Sequence, residues 1–435
     1  MSLHIARLLA AAWCAATMTA QQLPSPSAEL NGQLPQWLRF GVDYRARIEG
    51  FWNGGFKDNN EDAYLLNRFR VNMLIQPNDW LKFVFQGQDA RVFWNSKIPH
   101  APPYQDSMDL RLGYVELGDP DKEPVSLRAG RQELVFGEQR LVGHTSWANT
   151  ARSFDAVRAT FRSTSGYRLD AFASSVVVLT DGEFGKPIAG NNLHGLYGGI
   201  EKLVPDAVIE PYLLWRLAPR LASEHGPVGN LDSKTIGVRW VGKLPGGFDY
   251  GTEMALQAGS LGPDRVQAWA GHWVAGRTLR RVKWTPRVSA EYNYATGDKD
   301  PRDGRRGTFD QLYPTNHDKY GLTDQMGWRN MRDLRFGFDL KPKRKWLIVV
   351  NWHDWWLASA RDALYNSAGN PIAIVADGSG GTHVGQETGV QAIYTLSSQM
   401  QIGAAVGHVF PGEFLKKATP GKGYTIPYLI VGYSF

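Results

Sequence analysis

The chain has 435 residues, with 16 Trp, 17 Tyr, 19 Phe and 47 Gly, a charged fraction of only 21% and a formal charge of +6, a balance that favours strands and tight turns. Its apolar run from Leu8 to Ala16 falls far short of the roughly 18 residues a spanning helix needs, which excludes a helical membrane protein. The single cysteine, Cys14, excludes a disulfide framework and a cysteine-rich metal site, and no dense Lys/Arg tract points to nucleic acid.

Residues 1–20, MSLHIARLLAAAWCAATMTA, set His4 and Arg7 ahead of an apolar core and end in small residues at Ala20. This is the layout of a secretory signal peptide with cleavage near Ala20. Trp13 before Cys14 argues against a lipoprotein, and a mature chain without cysteine suits an oxidising envelope. Residues 21–36 form a short Pro/Ser/Gln-rich periplasmic segment, and residues 37–435 read as one unit.

In that unit Phe40, Val42, Tyr44, Ala46 and Ile48 alternate with Arg39, Gly41, Asp43, Arg45, Arg47 and Glu49. The alternation recurs to the C-terminus between turn signals. It predicts strands at 38–50, 64–76, 81–92, 109–117, 125–134, 154–163, 167–178, 193–202, 208–217 and 234–241. Further strands are predicted at 248–259, 265–274, 283–297, 331–341, 346–356, 384–395, 399–410 and 424–435. Short connections alternate with mostly long ones such as 51–63, 93–108, 135–153, 218–233, 298–330 and 357–383. The expected fold is all-β: a transmembrane antiparallel β-barrel of about 18 strands, with short periplasmic turns, long extracellular loops and both termini periplasmic.

The last strand, YTIPYLIVGYSF, aligns Leu429, Val431, Tyr433 and Phe435 on one face and ends on an aromatic, while Pro427 predicts a bulge. The outer face is expected to carry Phe69, Val71, Met73 and Ile75; Leu110, Leu112 and Tyr114; Ile236, Val238 and Trp240; and Leu334, Phe336, Phe338 and Leu340. A soluble sandwich shares this alternation. The loop-length pattern, the terminal aromatic and an interfacial girdle of Trp37, Trp80, Trp94, Trp284, Trp346 and Trp352 favour the barrel.

A charge facing lipid at mid-depth costs about 2–4 kcal/mol, so the alternate face lines the lumen. It carries Arg45, Arg47, Arg68, Arg70, Arg111, Arg128, Arg158, Arg239, Arg287 and Arg335, with Asp43, Glu49, Asp109, Glu253, Glu291 and Asp339. Arginine rings make anion-selective pores; arginine–carboxylate ladders merely neutralise the wall. For a single arginine the two readings stand level, whereas for the cluster anion passage is favoured. Arg131 falls on the lipid side by alternation from Leu127 and Ala129 unless a bulge at Gly130 re-aims it. Trp352, Trp355 and Trp356 fit interfacial anchors better than sugar-stacking platforms.

The blocks GRQELVFGEQRLVGHTSWANTARSFDAVR (Gly130 to Arg158), FDQLYPTNHDKYGLTDQMGWRN (Phe309 to Asn330) and GQDAR (Gly87 to Arg91) resemble the alginate export family of outer-membrane porins. The resemblance spans essentially the whole mature chain. It implies eighteen strands around an electropositive, arginine-lined constriction that passes an anionic uronic-acid polymer. It also implies roles for Arg131, Arg140, Arg152 and Asp155, for Asp310, His317, Asp324 and Arg329, and for Asp89 and Arg91. Asp155 is expected to pair with Arg152 or Arg158, and the second block to form an ordered lid.

The expected partners are outer-membrane lipid, an anionic polysaccharide or sugar acid and, for polymer export, periplasmic machinery; the barrel is expected to be a monomer without cofactor or metal. A diffusion porin for small anions is the alternative. A folded plug, GxSxG and HExxH are missing from the sequence, which argues against a TonB-coupled receptor and against an enzyme.

Overall fold

Period-two segments give every strand one apolar and one charged face, and their backbone edges are all satisfied by pairing side by side into a closed wall. That is how they pair in the computed structural model of the chain, which describes residues 26–223 and 226–435. The signal peptide expected over 1–20 lies outside those residues. The wall strands are β1 (Leu38–Phe51), β2 (Asp62–Asn78), β3 (Leu81–Phe93), β4 (Asp106–Leu117), β5 (Val125–Gln132), β6 (Phe154–Arg162), β7 (Tyr167–Thr180), β8 (Glu183–Ile200) and β9 (Ala207–Ala222). They continue as β10 (Val228–Leu244), β11 (Phe248–Leu261), β12 (Asp264–Thr278), β13 (Arg287–Ala295), β14 (Met331–Leu340), β15 (Trp346–Trp356), β16 (His383–Thr395), β17 (Met400–Pro411) and β18 (Tyr424–Ser434).

Each strand pairs antiparallel with the next. β1 pairs back with β18, from Asp43 opposite Ser434 to Glu49 opposite Tyr428. The terminal Phe435 completes the seam, with its N–H 2.9 Å from the Val42 carbonyl and its own carbonyl 2.6 Å from the Val42 N–H. The eighteen-stranded barrel of the sequence reading is therefore the fold. Phe69, Val71, Ile236, Val238, Trp240, Phe336 and Phe338 are exposed on the outer face, and Trp37, Trp80, Trp284 and Trp346 ring the short-turn end.

Several details depart from simple alternation. The short segment expected over 21–36 contains helix α1 (Pro26–Gln33), with proline in its first turn where no amide partner is lost. Asn31 ties it to β1 by bonding both the N–H and the carbonyl of Phe40, at 2.8 and 2.7 Å. Two connections at the long-loop end are two-residue turns, Asp181-Gly182 and Gly262-Pro263, and the loop expected at 218–233 shrinks to 223–227 because β9 and β10 run on. Pro427 causes no bulge: it stands in register with Val406, and the β1–β18 register that sets Glu49 opposite Tyr428 resumes unshifted at Trp52 and Thr425, so its missing N–H costs that seam one rung, opposite Gly50.

β4 does shift phase. Gln86 faces Leu112 but Gly87 faces Leu110, leaving Arg111 as the extra residue. Tyr114, expected outside, consequently faces the lumen, where the Arg128 guanidinium lies 4.6 Å from its ring centroid. β5 and β6 are short, and the β7–β8 hairpin leans over them to β4. There Asp181 accepts from Gln105 and from the N–H and hydroxyl of Ser107, at 2.7, 2.9 and 2.8 Å.

Candidate functional site

The low wall at β5 and β6 lets their connection, 133–153, turn into the barrel. Arg45 on β1 donates to the carbonyls of Ser146, Trp147 and Ala148 at 2.7, 3.1 and 3.1 Å. Arg47 reaches the Trp147 carbonyl at 2.6 Å, and Arg68 on β2 reaches that of Ser146 at 3.1 Å. Gln88 on β3 donates to the Thr150 carbonyl at 2.8 Å. The loop therefore runs along the inner face of β1–β3.

The lid expected over 309–330 is ordered and packs on this loop. Tyr313 N–H to Leu141 O and Gly143 N–H to Tyr313 O, both 2.8 Å, form a short bridge, continued by Thr315 N–H to Gln139 O at 2.9 Å. Behind the bridge Leu134, Phe136, Leu141, Phe309, Tyr320, Trp328 and Trp355 form one apolar core inside the barrel. Trp355 is fully buried there, which corrects its expected role as an interfacial anchor. On the far wall Arg140 contacts His272, Tyr320 and Glu291 at 3.0, 3.2 and 3.4 Å. Burial disfavours its charge, yet Tyr320, Glu291 and Glu138 together hold Arg140 above the ordinary guanidinium value. Arg152 bonds the carbonyls of Gly143 and Pro314, at 3.3 and 3.1 Å, and burial lowers it to about 10. Both arginines thus fasten the two loops together.

Trp147 sits at the centre of the assembly. The Arg47 guanidinium lies 3.7 Å from its ring centroid. On it His317 stacks at 3.6 Å with planes 2° apart. His317 in turn meets Asp324 through Nδ1 at 2.9 Å. Beside this stack a cavity of about 550 Å³ is lined by Arg47, Glu49, Tyr64, Tyr104, Trp147, Arg152, Asp324 and Tyr424.

The lumen arginines fall into two groups. From β4 round to β14 they are paired: Arg111 with Glu133, Arg128 with Glu116, Arg158 with Asp170, Arg239 with Glu210 and Glu138, Arg287 with Asp249 and Asp339, and Arg335 with Glu291. Asp170 alone binds Arg158, Arg168 and Thr160. On β1 and β2 the pattern is different. Arg47 meets Glu49 at 2.6 Å, but Arg45, Arg68 and Arg70 have no carboxylate within ion-pair distance among the described residues; Arg70 bonds Gln88 at 2.8 Å instead. Asp43, opposite Arg70 in register, is taken up by Asn72 and Ser434.

Five residues expected at the pathway stand elsewhere. Arg91 and Asp89 lie on the outward face of β3 and pair with each other, Nε to Oδ1 at 2.8 Å. β5 has no register shift at Gly130, so Arg131 stays on the side of Leu127 and pairs with Asp155 opposite it on β6, at 2.8 Å. Asp155 accordingly pairs with neither Arg152 nor Arg158. Asp109 caps the hairpin, accepting the Gly185 N–H at 3.0 Å, and meets no lumen arginine. The carboxylates that the sequence reading passed over, Glu116, Asp170 and Glu210, sit at inward positions of their strands. Hairpin register is the signal that would have found them: it sets Glu116 opposite Arg128, Glu210 opposite Arg239, and Asp170 one inward position from the residue opposite Arg158.

Long loops folded into an eighteen-stranded antiparallel barrel with charged walls define an outer-membrane barrel of the porin type. The chain belongs to the alginate export family, whose model matches residues 36–428. Among solved structures the fold is similar to Pseudomonas aeruginosa OccK3 (OpdO), with 11% identity, 91% of this chain and 95% of that chain covered, and a TM-score of 0.59. It is also similar to OccK5 (OpdH) of the same organism, at 10% identity, 92% and 98% coverage and TM-score 0.61. The outer membrane protein opdK of that organism gives 10%, 91% and 98%, and 0.60. No curated protein sequence matches the chain. Family and fold point to a transport channel.

Proposed function

We propose that this protein is a passive, anion-selective outer-membrane conduit for an acidic glycan of the uronic-acid type, alginate-like, and that the solute travels along the β1–β2 wall beside the loop 133–153. The observation that carries the reading is the set Arg45, Arg68 and Arg70: adjacent, inward and without carboxylate partners among the described residues, on a wall whose other arginines are mostly paired. Guanidinium forks can hand a carboxylate from one contact to the next. The paired arginines of β4 to β14 serve as wall. In this reading the leader 1–20 is removed on the way to the outer membrane, the barrel acts as a monomer without catalysis or nucleic acid, and periplasmic machinery delivers a polymer to its inner end.

A second reading, a diffusion porin for small sugar acids, is favoured by the inward loops and by the modest size of the cavity beside Trp147, about 550 Å³. Single-channel recording with a uronic-acid oligomer separates the two. The polymer reading expects long current blockades that disappear in Arg45→Ala/Arg68→Ala. Passage of the monomer with no oligomer blockade favours the small-solute porin.

A further inference from the structure

A second cavity, of about 130 Å³, lies apart from the one beside Trp147, between the upper wall of β9, β10 and β12 and the long connection 296–330. Arg216 and Ser233, register partners on β9 and β10, supply the wall side; Arg306, Asp310 and Arg329 supply the loop side. Three guanidiniums face one carboxylate, a formal balance of +2. Arg216 is ion-paired with Asp310. Arg329 donates from Nη1 to the Gly369 carbonyl at 3.0 Å and stacks on Tyr365 at 4.4 Å. Neither Arg306 nor Arg329 has a carboxylate within ion-pair distance among the described residues. Burial in the first place, and then repulsion from Arg306 and Arg216, hold Arg329 below the ordinary guanidinium value against the pull of Asp310.

The donors that remain are the telling feature. Arg216 Nε, Arg329 Nε and Ser233 Oγ are buried without a hydrogen-bond partner, and Ser233 is only 1% exposed. Unmatched donors beside uncompensated positive charge are costly in an interior, and all of them belong to residues lining one small space. We propose that this cavity is a binding site for a compact oxyanion, phosphate-like or the carboxylate of a single sugar acid, which accepts from Arg216, Arg329 and Ser233, is balanced by Arg306, and clamps the long loop to the β9–β10 wall. The site is separate from Arg45, Arg68 and Arg70 and stands whether or not those residues guide a transported solute.

The test is calorimetric titration of the purified, detergent-solubilised barrel with inorganic phosphate and, separately, with glucuronate. One saturable site per barrel is expected, at least tenfold weaker in Arg306→Gln and unchanged in Arg91→Ala, which alters only the outward face of β3. Arg306 lies on a two-residue bridge beside β12, so its variant is first confirmed as folded by heat-modifiable migration. In the unaltered protein the better ligand should also raise the unfolding temperature. Tight phosphate binding assigns a free inorganic anion and tight glucuronate binding a sugar acid, and either supports the site. No saturable binding of either probe, or binding that Arg306→Gln leaves at full strength, overturns it.

Discussion

Arg45 and Arg68 stand directly opposite each other on β1 and β2 and converge on one backbone oxygen, the Ser146 carbonyl, at 2.7 and 3.1 Å. Two cations sharing one neutral acceptor leave positive charge at that point of the wall unmatched by a carboxylate, and a low-dielectric interior strengthens its field over its value in water. On β13, six strands from β1 around the closed wall, Glu291 lies between Arg140 and Arg335, so the same residue type is neutralised there.

The two groups should respond differently to mutation. Asp170 is fully buried and anchors Arg158, Arg168 and Thr160. Breaking such a buried ion pair costs about 3–5 kcal/mol. Asp170→Asn should therefore lower the temperature or urea concentration at which the barrel loses its folded migration on gels, while the sign of its ion preference stays the same.

Trp147 holds the loop through Arg47 on one side and His317 on the other. A cation–π contact contributes about 0.5–2 kcal/mol and a ring stack about 0.5–1.5 kcal/mol. Trp147→Ala should accelerate amide exchange across 133–153 and raise single-channel conductance, with Trp147→Phe intermediate. Unchanged exchange in the alanine variant would remove Trp147 from its role as the loop's pin.

Acid should loosen the same loop from its other end. Burial disfavours the ionised Glu138 carboxyl, but Arg140 and Arg239 hold it at about 2 against an ordinary 4.5. Because the folded value is depressed, its contribution is complete above the unfolded value and is lost as pH falls towards the folded one. Exchange protection of 133–153 should be flat from pH 7 to about 5 and decline between about 4.5 and 2. Glu138→Gln should show less protection at pH 7 and a shallower decline.

The barrel was legible because lipid on one side and charge on the other impose a period of two that survives in sequence: all eighteen predicted strands are present in order. What alternation misplaced lies where the phase breaks or where contacts are remote. The extra residue at Arg111 turned Tyr114 inward. Asp89 and Arg91 entered the candidate pathway by resemblance, although strict counting along β3 sets them outside with Phe85. The inward course of 133–153 depends on Arg45 and Arg47, about a hundred positions earlier in the chain. Such loop contacts carry no periodicity, so the unpaired character of Arg45, Arg68 and Arg70 emerged only in three dimensions.

The central claim concerns the sign of the charge that passes. The most direct test is the reversal potential of the purified barrel in a planar bilayer under a potassium chloride gradient, for the unaltered protein and for Arg45→Ala/Arg68→Ala/Arg70→Ala. The account predicts a chloride preference that falls several-fold or vanishes in the triple variant. A potassium preference, or a chloride preference that the triple variant retains in full, would contradict it.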